Sequence, residues 1–353
     1  LIVGVILTFF VTVVVVALYR AGSREREASV LTPTLSVAQI ATSTPVPFPT
    51  LPPLPSPTLA QPTEVPTLPS STPSPILAGP TAVALASVPL PNSPDALRAD
   101  LQAIPVLNLP GDHVREVFWR GQNLGNARGV LTKIGDCNSD SRAFLAPLDL
   151  GNYDLGPYAE LQAVIDFFAG SFRVDSIADG VGFTAYSVLD WGFADPQYCE
   201  QRESPVACEL RRRRPSVAII MFGANDVRYL TAEQYADAMR QIVRLSLDQG
   251  TIPVLNTFAW CAGNMLEDKA LELNAITVNL AVEYDVPLIN FWRAAQALPD
   301  CGLITETHLT SAGPPGGAPF VGFANGEERQ AGYSLRNLLT LQMLDLLRQT
   351  VFG

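Results

Sequence analysis

Ser216-Val217-Ala218-Ile219-Ile220-Met221-Phe222 runs directly into Gly223-Ala224-Asn225-Asp226, and this stretch decides the fold class. After Ser216 the run is apolar at every position, so both faces of the strand it forms must be covered. A strand buried on both sides belongs to a parallel sheet with helices above and below. The tight polar turn at its end falls where open α/β sheets place their ligand crevices.

The same alternation extends in both directions. Upstream, Gly129–Ile134 reads as a strand that ends in Gly135-Asp136-Cys137, preceded by a helix over Val114–Gly125. A helix over Tyr158–Ala169 follows, with Leu161, Val164, Ile165 and Phe168 on one face. A short strand near Phe172–Ile177 then leads into Gly180-Val181-Gly182-Phe183-Thr184. Downstream, Thr231–Gln249 is a helix that Thr231 caps and Gly250 stops. Strands at Thr251–Phe258 and Val286–Phe291 and helices at Lys269–Tyr284 and Tyr333–Val351 complete the pattern. Strands alternating with helices predict a five-stranded parallel sheet covered on both faces.

This pattern occupies only residues 96–353 of the 353-residue chain. Residues 1–19 are almost wholly apolar, a length that matches a bilayer-spanning helix, with a cleaved signal peptide as the rival reading. Residues 20–95 are rich in Pro, Thr and Ser and hold more than half of the 30 prolines. Proline fixes φ and removes donors, so this segment is expected to be a disordered, extended linker. Arg20, Arg24 and Arg26 would favour a cytoplasmic flank. The stalk-like linker and the cysteines favour the opposite: a single-pass protein of the cell membrane whose C-terminal domain is extracellular. A formal net charge of −11 argues against nucleic acid as a partner. The run Arg211–Arg214 ends a predicted helix, where cations complement the helix dipole.

There are five cysteines. Cys199 and Cys208 bracket a short loop and could close it. Cys261 and Cys301 both follow predicted strands and could also meet, although sequence does not fix the pairing. Cys137 would then be left as a free thiol at a strand end, either an inert buried residue or a nucleophile. With two histidines and no Cys-x-x-Cys, neither a metal site nor a cofactor is expected.

These turns together resemble the SGNH/GDSL hydrolase family. The resemblance covers residues 110–350 in element order and implies a flavodoxin-like three-layer αβα sandwich. The family's Gly-Asp-Ser turn, with Ser as nucleophile, is similar to Gly135-Asp136-Cys137. Its second block, a glycine whose N–H helps hold an oxyanion, is best matched by Gly182, with Gly180 as the alternative. Its Gly-x-Asn-Asp block is matched by Gly223-Ala224-Asn225-Asp226. Its late Asp-x-x-His is matched by His308-Leu309-Thr310, but with Thr305 at the Asp position.

The resemblance therefore assigns Cys137 as nucleophile and His308 as base. It places Asp136, Gly182, Asn225 and Asp226 around the oxyanion or substrate. Thr305, or Glu306 if the loop turns differently, would orient the imidazole. A thiol is more acidic than a hydroxyl and a neighbouring cation can lower its pKa further, so Cys–His chemistry depends less on a third group. Ser139 is two residues past the turn and is expected to point elsewhere. The resulting expectation is a membrane-tethered hydrolase of carboxylic esters, including acetyl groups on glycans. The alternative is an inactive surface module that binds carbohydrate or cell-wall material in the inherited cleft. A redox-active thiol at Cys137 is a third option.

Overall fold

The computed structural model describes residues 85–90, 92–312 and 317–352. The expected membrane helix at 1–19 and nearly all of the linker at 20–95 lie outside the described residues. Among the described residues, no helix is long and apolar enough to cross a membrane.

Five strands form the central sheet: β1 (Leu107–Asn108), β2 (Ala127–Gly135), β3 (Pro215–Met221), β4 (Ile252–Asn256) and β5 (Leu288–Ile289). Their order across the sheet is β1-β5-β4-β3-β2. β2 to β5 are parallel, whereas β1 pairs antiparallel with β5. Every residue of β3 and of β4 is buried, as an unbroken apolar run requires.

The sheet is therefore mixed, which corrects the expected all-parallel arrangement. The fifth strand is the short β1 edge, and Phe172–Ile177 forms no strand. Two of its backbone donors, those of Arg173 and Ile177, and the amide of Gly170 just before it are taken by side chains instead. Asp149 accepts from the amides of Gly170 (2.7 Å) and Arg173 (2.9 Å), and Glu209 accepts from that of Ile177 (3.0 Å). What remains is a single parallel bridge between Gly135 and Asp179, where the Gly135 amide donates to Ala178 O at 3.0 Å. That one contact still carries the chain past the end of β2.

Helices α1 (Pro94–Ala103), α2 (Asp112–Asn123), α3 (Pro205–Arg213), α4 (Ala232–Asp248), α5 (Glu267–Glu283) and α6 (Gly332–Thr350) pack around the sheet. α3, α4 and α5 pack in succession, and α2 and α6 meet β3, β4 and β5 through another group of contacts. The starts of α1, α3 and α4 are encoded locally. Ser93 and Ser204 cap α1 and α3 ahead of a proline, and Thr231 forms a capping box with Gln234 at α4. Such a cap is worth about 1 kcal/mol. Packing also begins before residue 96. Val88 is buried, and its backbone exchanges two hydrogen bonds with the Asn279 carboxamide at 2.7 and 2.8 Å.

The register places the site. Gly135 lies opposite Met221, so the turns after β2 and β3 leave the sheet side by side. The Asp179 bridge adds the Gly180–Thr184 segment on the outer flank of the first turn.

Candidate active site

Cys137 opens a one-turn helix, Cys137–Asp140. Asp136 caps it by accepting from the Asn138 amide at 2.9 Å. The carboxylate is fully buried, one of its oxygens has no partner, and burial pushes its pKa up to about 6. Asp136 therefore faces the interior rather than a substrate. The Cys137 thiol is free and half-buried. Burial, and then the neighbouring Asp136 charge, push it up to about 12. An activated, lowered thiol was the expectation, and this environment acts in the opposite direction. The same environment disfavours thiolate, the form that oxidises.

The second and third turns are joined by direct bonds. Asn225 Nδ2 donates to Phe183 O at 2.9 Å, and Asp226 accepts from the amides of Ala185 and Gly223, each at 2.8 Å. Asp226 is fully buried and pushed up to about 7 by desolvation, so its role in this geometry is to clamp two loops together. Gly223 has φ of +128°, and a Cβ there would overlap the Phe258 ring. Gly182, at φ +79°, has open space where a side chain would stand, which leaves its backbone accessible. The Asp136 charge is felt at Asp226, consistent with the two turns abutting.

His308 arrives on the loop after the short helical turn Pro299–Gly302. Thr305 Oγ1 lies 3.0 Å from its Nδ1 and Thr307 Oγ1 lies 3.2 Å away. Thr305 Oγ1 also accepts from the amides of His308 (3.0 Å) and Thr307 (3.3 Å). Glu306 does not reach the ring; its carboxylate is bound to Arg228, which follows the Asn225-Asp226 turn. Asn138, next to Cys137, ties this loop to the thiol. Its Nδ2 donates to Thr307 O at 2.8 Å and its Oδ1 accepts from the Leu309 amide at 3.1 Å. The two residues flanking His308 are thus held by the neighbour of Cys137, and the His308 charge acts on Asp136.

The support beneath this turn belongs to none of the sequence motifs. Arg336 of α6 is fully buried, and burial lowers its pKa to about 10. Its Nη1 donates to Asn138 O at 2.7 Å and its Nη2 to Ser139 Oγ at 3.0 Å. Its guanidinium sits 3.7 Å from the Phe144 ring centroid. Ser139 is thereby buried and committed, away from any substrate. Tyr333 OH donates to Asn138 Oδ1 at 3.3 Å. An arginine among apolar residues on a helix predicted to be amphipathic was the one available signal. Disulfides join Cys199 to Cys208 and Cys261 to Cys301.

Residues 179–313 match the GDSL-like Lipase/Acylhydrolase family model. That match supports the resemblance to the SGNH/GDSL hydrolase family drawn from the sequence motifs. The match takes in Gly182, Asn225, Asp226 and His308, and the Cys137 turn lies outside it. No curated protein matches the chain. Among solved structures, this GDSL-like chain is similar to a lipase/acylhydrolase from Enterococcus faecalis, with TM-score 0.40 and 15% identity over 60% of this chain and 93% of that one. It is also similar to a GDSL-like lipase from Bacteroides thetaiotaomicron, with TM-score 0.40 and 12% identity over 67% and 99%. A psychrotrophic esterase from Pseudoalteromonas sp. gives TM-score 0.36 and 12% identity over 64% and 100%.

Proposed function

We propose that this GDSL-like protein hydrolyses small carboxylic esters, with Cys137 as nucleophile and His308 as general base. The observation that supports the proposal is the pair of hydrogen bonds from the Asn138 side chain to the backbone on either side of His308, which ties the His308 loop to the residue after Cys137. With the thiol neutral, attack would proceed as His308 removes the sulfur proton while sulfur adds to the ester carbonyl, not from a standing thiolate. The amides of Cys137 and Gly182 and the second Nδ2 hydrogen of Asn225 would stabilise the oxyanion. The tetrahedral intermediate would expel the alcohol, protonated by the imidazolium, and leave an acyl thioester. Water, deprotonated by His308, would release the acid. Val181, Tyr186, Tyr229 and Ile304, each more than half exposed on the loops at this edge, suit an uncharged substrate.

The test compares Cys137→Ser and Cys137→Ala with the parent on p-nitrophenyl acetate. Loss of turnover in Cys137→Ala supports the assignment, and equal rates for parent and Ala end it. Membrane tethering, an extracellular domain and acetylated glycans as substrates are part of the same proposal. The two disulfides support an oxidising compartment.

The raised thiol and the uncharged Thr305 favour a second reading, an inactive module that binds carbohydrate or cell-wall material in the same cleft. Glycan binding that survives Cys137→Ala and His308→Ala, without turnover in the parent, would select it.

A further inference from the structure

We infer that Asn138 is the positioning residue of His308, holding by backbone geometry an imidazole that, among the described residues, makes no hydrogen bond to a charged group. This rests on the reading of His308 as the base at Cys137. Among the described residues, the ring nitrogen Nδ1 meets only the hydroxyls of Thr305 and Thr307, and the ring is exposed on a loop. Two neutral hydroxyls on that same loop move with the ring and do not anchor it to the rest of the fold. Asn138 does. Its carboxamide is buried, and it binds the carbonyl before His308 and the amide after it at once. That pair of contacts uses a donor and an acceptor on two separate atoms of one short side chain, which the Asn carboxamide supplies. Asn138 is fixed in turn from behind. Arg336 holds its carbonyl and Tyr333 its Oδ1, so every polar atom of the side chain is committed. Asn138 immediately follows Cys137, so the His308 loop is tied to the residue next to the thiol.

The test uses Asn138→Leu, which keeps the branched shape and loses both bonds, and Asn138→Asp, which keeps the acceptor for Leu309 and loses the donor to Thr307. On p-nitrophenyl acetate, kcat should fall about 10²-fold in Asn138→Leu and about tenfold in Asn138→Asp, with KM within about twofold of the parent. In both variants the His308 ring signals in ¹H–¹⁵N spectra should move toward those of a free histidine, and in Asn138→Leu the Leu309 amide should exchange faster. A residue that only stabilised the fold would lower the melting temperature and leave the ring signals and kcat of the folded protein unchanged, and that result overturns the inference. If Asn138→Leu does not fold, Asn138→Asp decides alone. The ring signals and amide exchange need no turnover, so a parent without esterase activity would refute the hydrolase reading and still leave this inference open to test.

Discussion

Alkylation of Cys137 probes the environment of the nucleophile directly, because the other four cysteines are locked in disulfides. The fold raises the thiol from 9.0 to about 12, first by burial and then by the Asp136 charge. Three units mean that, below pH 9, about 10³-fold fewer thiols are ionised than in an unperturbed cysteine. Iodoacetamide should therefore modify Cys137 near pH 8 about 10²-fold more slowly than a small free thiol, because the more basic thiolate offsets part of its scarcity, with the rate rising about tenfold per pH unit. Asp136→Asn removes the charge and keeps an oxygen to cap Asn138. Because burial is the larger cause, this variant should recover only about tenfold of the deficit. The readout is the mass of the Cys137 peptide against time at several pH values. A plateau in rate between about pH 7 and 9, or modification at the free-thiol rate, would show a standing thiolate and refute the neutral-thiol mechanism.

Stability should fall as pH rises through the weakly acidic range. Asp136 and Asp226 are raised to about 6 and about 7, so the folded state holds protons that the unfolded chain has released. Their contribution is complete below about pH 4 and is lost as pH passes 6 to 7, so melting temperature should drop on the order of 5–10 °C between about pH 5 and 8. A flat or rising curve would contradict the burial of these carboxylates. Arg336→Met, which strips Asn138 O and Ser139 Oγ of their donors, should destabilise the fold by about 3 kcal/mol in urea denaturation, and a change within about 0.5 kcal/mol would show the guanidinium to be dispensable. Thr305→Asp places a carboxylate beside Nδ1 and should raise esterase kcat about tenfold. That is well short of the roughly 10⁴ such a group supplies in a buried triad, because this ring is open to water. No change would mean that the ring already has the tautomer and orientation it needs.

The strands at the centre of the sheet were legible because burial on both faces leaves an unmistakable record. Ser216–Phe222 and Thr251–Phe258 contain β3 and β4. Phe172–Ile177 misled because its apolar residues resemble an edge strand, while the groups that unmake it, Asp149 and Glu209, act from remote parts of the chain. β1 was invisible because two residues on an edge carry no period. At the site, the turn residues announced themselves through glycine, thiol, carboxamide and imidazole. The identity of what holds His308 did not. Glu306 is near it in sequence but binds Arg228, whereas Asn138 is remote in sequence and meets it through the loop backbone. Side-chain bonds to backbone leave no spacing to read.

Trapping the acyl-enzyme tests the shared pocket most directly. Protein quenched in acid during turnover of p-nitrophenyl acetate should carry a single acetyl group on the Cys137 peptide, labile to hydroxylamine and absent from His308→Ala. An unmodified Cys137 peptide during measurable turnover, or an acetyl group on any other side chain, would mean that the sulfur, the imidazole and the carboxamide do not work together.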